Sequence, residues 1–120
     1  MTMKTISRIP THRVYRDGCE QRYRSAWENA FKACRLLKRH FGVHEIRVAG
    51  SLLHRESFHE ESDIDLVVPE FGIREMLAGS RLLEHRIAFA VDIIPLKSVL
   101  EGKKQYYLER SVALGSKEKT

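Results

Sequence analysis

Cysteine is scarce in this chain, and long apolar stretches are missing. The two cysteines, Cys19 and Cys34, stand far apart with no C-x-x-C spacing. That pattern excludes a disulfide framework and leaves free thiols in a reducing cytoplasm as the expected state. No apolar run approaches the length needed to span a bilayer, so no membrane segment is expected. Met1 to Pro10 carries scattered charge without a continuous apolar core, which argues against a secretory signal. Internal repeats and low-complexity segments are also lacking. What remains is an ordinary folded composition: 120 residues with 42% hydrophobic content, enough for one core and too short for two.

Positive charge is the one compositional excess. A formal net charge of +5 favours an anionic partner such as a nucleotide or nucleic acid, although small basic domains are common and charge alone selects no ligand. Residues 1–16 are polar and basic without a clear period and read as a flexible N-terminal arm. Residues 17–115 read as the folded domain and 116–120 as a disordered tail. Asp17-Gly18-Cys19-Glu20 has the spacing of a capping box. Tyr23, Ala26-Trp27, Ala30-Phe31, Cys34, Leu37 and Phe41 then recur every three to four residues, which predicts an amphipathic helix closed by Gly42. An aromatic stripe of this kind is far more often core than a base-stacking platform. The basic residues of the helix, Arg22, Arg24, Lys32, Arg35, Lys38 and Arg39, fall mostly on the solvent side with no aromatics between them, which disfavours a nucleic-acid face.

Later segments are shorter. Ile73, Met76-Leu77 and Leu82-Leu83 predict a helix to about His85, with Gly79 a point where it could break. Ile87 to Pro95 reads as an apolar strand with Asp92 its single charge. Ser98-Val99-Leu100-Glu101 has capping-box spacing, and Tyr107, Leu108, Val112 and Leu114 predict a last helix stopped by Gly115.

The chemistry concentrates between Val48 and Pro69. Glu45 to Ala49 reads as a short strand that stops at Gly50-Ser51, where a missing Cβ lets backbone approach a ligand, and free N–H groups with a hydroxyl can take phosphate oxygens. After an eleven-residue spacer, Asp63-Ile64-Asp65-Leu66-Val67-Val68 reads as a second strand closed by Pro69. Strand alternation points Asp63 and Asp65 the same way. Two adjacent carboxylates repel, and a divalent cation is the usual reason to keep them. The bland alternative is that Ser62-x-x-Asp65 caps a helix, but Leu66-Val67-Val68-Pro69 is too short and β-rich to continue one. Asp92, if buried unpaired among its apolar neighbours, would be costly. A metal shared with Asp63 and Asp65 explains it, with an Arg partner as the rival account. His54 and His59 flank the spacer without completing a zinc site, and Ser80 and Ser111 have no base-like neighbours. Arg55 is a candidate to steady a triphosphate, with a salt bridge to Glu56, Glu60 or Glu61 as the structural alternative.

Gly50-Ser51, the spacer and Asp63-x-Asp65 resemble the signature of the DNA polymerase β-like nucleotidyltransferases. The closest likeness is to their stand-alone minimal members (MNT), the antitoxin-type partners of HEPN toxins. Arg55-Glu56 and Ser62-Asp63-Ile64-Asp65-Leu66 fall where that family carries comparable residues, and Asp92 stands where it needs a third carboxylate. The spacer is one residue longer than the commonest version, with His54 the extra. The likeness covers roughly Glu45 to Leu96. It implies an α/β fold of the polymerase β palm type, with a small three-stranded mixed sheet flanked by helices. It further implies Gly50, Ser51 and Arg55 on the phosphates of a nucleoside triphosphate, and Asp63, Asp65 and Asp92 on two Mg²⁺ ions as the catalytic set.

The implied reaction moves AMP from ATP to a hydroxyl, most naturally a tyrosine of a HEPN-domain toxin that this chain would restrain as antitoxin. Three alternatives stand beside it. One is nucleotidylation of a small molecule such as an aminoglycoside, although those enzymes usually carry a further helical domain. A second is a module that masks its partner without catalysis, against which a full carboxylate triad argues. The third is nucleic-acid binding through the basic arm and helix, which would show as salt-dependent affinity for bulk RNA or DNA. A homo-oligomer is compatible with all of them.

Overall fold

The helix α1 (Cys19–Phe41) is the longest element, and the core is built against it. The structure, a computed structural model, describes residues 5–10 and 19–115. Asp17 and its half of the expected capping box lie outside those residues. The stripe at helical spacing is core: Tyr23, Ala26, Trp27, Ala30, Phe31, Ala33, Cys34 and Leu37 are all buried. Their rings interlock, with Tyr23 edge-on to Trp27 at 6.5 Å and to Phe58 at 5.2 Å. Gly42 ends the helix with φ +69, its N–H donating to the Lys38 carbonyl at 2.9 Å, an arrangement most side chains would resist.

Opposite α1 lies one five-stranded mixed sheet in the order β1-β5-β2-β3-β4. Its strands are β1 (Thr5–Ile6), β2 (Arg47–Ala49), β3 (Ile64–Val68), β4 (Val91–Pro95) and β5 (Ser111–Leu114). β3 and β4 run parallel, joined by helix α2 (Ile73–Glu84), while β2 is antiparallel to both β3 and β5. Alternation along β3 sends Ile64, Leu66 and Val68 into the main core beneath α1 and leaves Asp65 and Val67 on the other face.

Three expectations need correction. The sheet has five strands, not three, because both ends of the described chain add to it. Thr5–Ile6, inside the stretch read as a flexible arm, pairs in parallel with Ala113–Leu114. The last helix does not run to Gly115: helix α3 (Glu101–Glu109) stops, and Ser111–Leu114 becomes β5. Val112 and Leu114 are two apart, which is the period of a strand. Lastly, the strand over Ile87 to Pro95 begins only at Val91.

One cap and one expected helix break also differ from expectation. Ser98 does not cap its own helix; its hydroxyl accepts the Ile73 N–H of α2 at 3.1 Å, while Glu75 folds back onto the Gly72 N–H at 2.9 Å. Gly79 does not break α2. It lies where the helix presses closest to its neighbours, since a Cβ there would sit 3.1 Å from Leu37 Cδ2 and 3.2 Å from Ile93 Cδ1. Among the described residues no helix is long and apolar enough to cross a membrane.

Candidate functional site

β2 ends because Gly50 adopts φ +74, a region L side chains rarely enter. Asp65 makes the same demand, because a Cβ on Gly50 would collide with Asp65 Oδ2. The strand register sets this contact: Ala49 faces Asp65 across β2–β3, and Asp65 faces Asp92 across β3–β4. Residues paired across a sheet share a face, so the Asp65 and Asp92 carboxylates project from one surface in adjacent strands. Asp63 lies two positions before Asp65, in a segment fixed by a turn in which the Ser62 hydroxyl accepts the His59 N–H at 2.9 Å. That hydrogen bond, followed by a strand, removes the helix-cap reading of Ser62-x-x-Asp65.

From Gly50 the chain enters a 3₁₀ turn through Leu53 and a second from Arg55 to Ser57. The first is pinned to α1, since the buried Tyr23 hydroxyl donates to the Leu52 carbonyl at 2.9 Å. Ser51 is half-buried in this turn, its carbonyl accepting the His54 N–H at 3.0 Å.

The electrostatics of the row are unbalanced. Burial first, then the charges of Asp92 and Asp63, push the Asp65 carboxyl up to about 6. A site that raises a carboxyl this way gains from a cation, and hard oxygen donors suit Mg²⁺. The expected three-carboxylate metal centre is nonetheless not gathered as drawn from the sequence. Among the described residues no group of three or more His, Cys, Asp or Glu side chains stands ready to hold a metal ion. Asp63 and Asp92 are both exposed to solvent. The donor set still fits Mg²⁺, which is usually held by one or two carboxylates together with substrate phosphates and not by an all-protein cage. Asp92 needs no partner to offset burial, because on the edge strand β4 it is exposed to solvent.

Arg55 is brought elsewhere. It is 7% exposed, with its guanidinium 4.9 Å over the Tyr23 ring and 3.8 Å from Glu20 Oε1. Its acidic partner comes from α1 and not from Glu56, Glu60 or Glu61, which ties the second 3₁₀ turn to that helix.

Beside the row lies a cleft of about 370 Å³ lined by Gly50, His54, Asp65, Tyr106, Tyr107 and Arg110, among others. The α3 residues were not expected at the site. α3 buries none of its side chains, so its tyrosines are not core, as the lack of an apolar stripe over 101–109 could have indicated. The helix end is held by Arg47, whose Nε donates to Ser111 Oγ at 2.7 Å and whose Nη2 donates to the carbonyls of Ser111 and Leu108 at 2.9 and 3.2 Å.

No family model matches the chain, and no curated protein matches it. Among solved structures, the crystal structure of a toxin-antitoxin with AMP-PNP shares the fold at a TM-score of 0.54 and 19% identity, over 69% of this chain and 70% of that one. The likeness is one of backbone architecture: a mixed α/β unit with helices flanking a mixed sheet.

Proposed function

We propose that this protein is a Mg²⁺-dependent nucleotidyltransferase that moves AMP from ATP to a hydroxyl acceptor, and that the acceptor is a tyrosine of a HEPN-type partner that the protein restrains as antitoxin. One observation carries the reading: Asp65, in register with Asp92 on the adjacent parallel strand, stands against a glycine that only a missing Cβ allows so close. The neighbour that shares the fold was solved as a toxin-antitoxin with a nucleotide analogue, which supports the same reading.

Gly50 lets the turn after β2 approach the β- and γ-phosphates, and the Ser51 hydroxyl and the turn's N–H groups are the donors at hand. Asp63, Asp65 and Asp92 would hold Mg²⁺, which supplies charge neutralisation and a lowered pKa for the acceptor hydroxyl. The acceptor oxygen attacks the α-phosphorus in line; the bond to the bridging oxygen breaks, pyrophosphate leaves, and the hydroxyl proton passes to solvent. This chain's contribution is placement of the triphosphate and of charge.

A second reading is favoured by the exposure of Asp63 and Asp92 and by Arg55, whose guanidinium lies against α1: a partner-masking module without turnover. The two are separated by label transfer from α-labelled ATP with Mg²⁺, using this protein and the product of its neighbouring gene. Label on the partner that vanishes with Asp63→Asn supports the transferase. A stable complex without label supports masking.

A further inference from the structure

The tyrosines of α3 are the largest feature at the cleft that the proposed reaction does not use. Tyr106 is 49% exposed although it is an aromatic residue on a helix. Its ring stands edge-on to Tyr107 at 5.3 Å, and the Arg110 guanidinium lies 4.0 Å over it. Arg110 Nη1 also donates to the Tyr106 carbonyl at 3.3 Å, which fixes the plane of the stack. These three side chains form one wall of the cleft whose other residues include Gly50, Asp65 and His54. We propose that this wall takes the nucleobase of a nucleoside triphosphate whose phosphates lie at Gly50 and Asp65.

The assignment rests on the transferase reading and adds the part that selects the nucleotide. Aromatic faces and guanidinium planes are the surfaces on which unpaired bases stack. A cleft of about 370 Å³ is within the range that holds a small ligand. A turn suited to phosphates and an aromatic wall lining the same cleft match the two parts of a nucleotide. The rival occupant is an aromatic acceptor side chain from a protein partner.

Calorimetry on the full chain with Mg²⁺ tests the proposal, using ATP and inorganic tripolyphosphate as the two probes. Wild type should bind ATP more tightly than tripolyphosphate. Tyr106→Leu and Arg110→Gln should each weaken ATP about tenfold and leave tripolyphosphate unchanged, while Tyr106→Phe keeps ATP affinity. Because Tyr106 is half exposed, its loss leaves the core intact, and a thermal melt checks this. Equal wild-type affinity for the two probes overturns the wall while the phosphate site stands. Binding of neither probe removes the phosphate reading and the wall together. Variants that bind ATP normally but fail to label the partner assign the wall to the acceptor and overturn the base assignment.

Discussion

α1 and α3 both carry aromatic residues on a helix, and the two helices use them in opposite ways. In α1 the apolar stripe recurs every three to four residues, and its rings, Tyr23, Trp27, Phe31 and Phe41, pack into or against the core. In α3, a nine-residue helix, Tyr106 and Tyr107 are adjacent, no residue is buried, and the rings line a cleft. Burial holds α1 in place; hydrogen bonds from Arg47 of β2 hold the end of α3. Periodicity therefore reports burial where a helix is long enough to show a stripe, and adjacency without a stripe marks aromatic surface left for something else.

Four substitutions break or sharpen this contrast. Trp27→Ala should have the largest effect, about 3–5 kcal/mol of lost stability in a urea titration, because it empties a fully buried site in the α1 stripe. Arg47→Met should cost about 2 kcal/mol. Its clearer sign is local: hydrogen exchange should accelerate in α3 and β5 while α1 keeps its protection. If both helices loosen together, the two regions are one cooperative unit and the contrast fails.

Gly50→Ala should cost about 1–2 kcal/mol through its positive φ, with an added collision at Asp65. It should also displace the turn that the proposed nucleotide needs, so melts would show a folded protein that ATP and Mg²⁺ no longer stabilise.

Asp65→Asn should have the smallest effect and the opposite sign. A carboxyl held at about 6 keeps its proton in the folded state where the unfolded chain, near 3.8, has lost it. The wild type therefore loses stability from this group as pH rises from about 4 to above 6. The Asn variant should be more stable than wild type at pH 7 without Mg²⁺, by no more than about 1 kcal/mol given solvent screening. The difference should vanish near pH 4, and melts across that range with a chelator present would measure it. A variant less stable than wild type at pH 7 would mean that Asp65 is satisfied by the fold itself.

Much of the scaffold was legible in the sequence. The α1 stripe, the Gly42 stop, the strands around Gly50-Ser51 and Asp63-x-Asp65, and the helix between β3 and β4 all follow from local period and punctuation. The alternation at Val112 and Leu114 was present but outweighed by the helical neighbours Tyr107 and Leu108. β1, two residues long, has no pattern of its own and exists only because β5 offers an edge.

The site residues divide the same way. Gly50, Asp65 and Asp92 came together because strand register is a local consequence of the same patterns. Arg55 did not join them, because Glu20 and Tyr23, which claim its guanidinium, come from a helix distant in sequence. The exposure of Asp92 likewise depends on β4 being an edge strand, which only the full strand order reveals.

The sheet order also sets a schedule. β3, α2 and β4 are contiguous, so the row that pairs Asp65 with Asp92 can close as soon as that segment has left the ribosome. β1, made first, finds its neighbour only when β5 is made, and β5 in turn inserts against β2 after α3 is complete. Closing those long loops is the slow part of such a topology. A growing chain thus carries its carboxylate pair before it has the tyrosine wall, and during that interval the outer edge of β2 stands open in wait for β5.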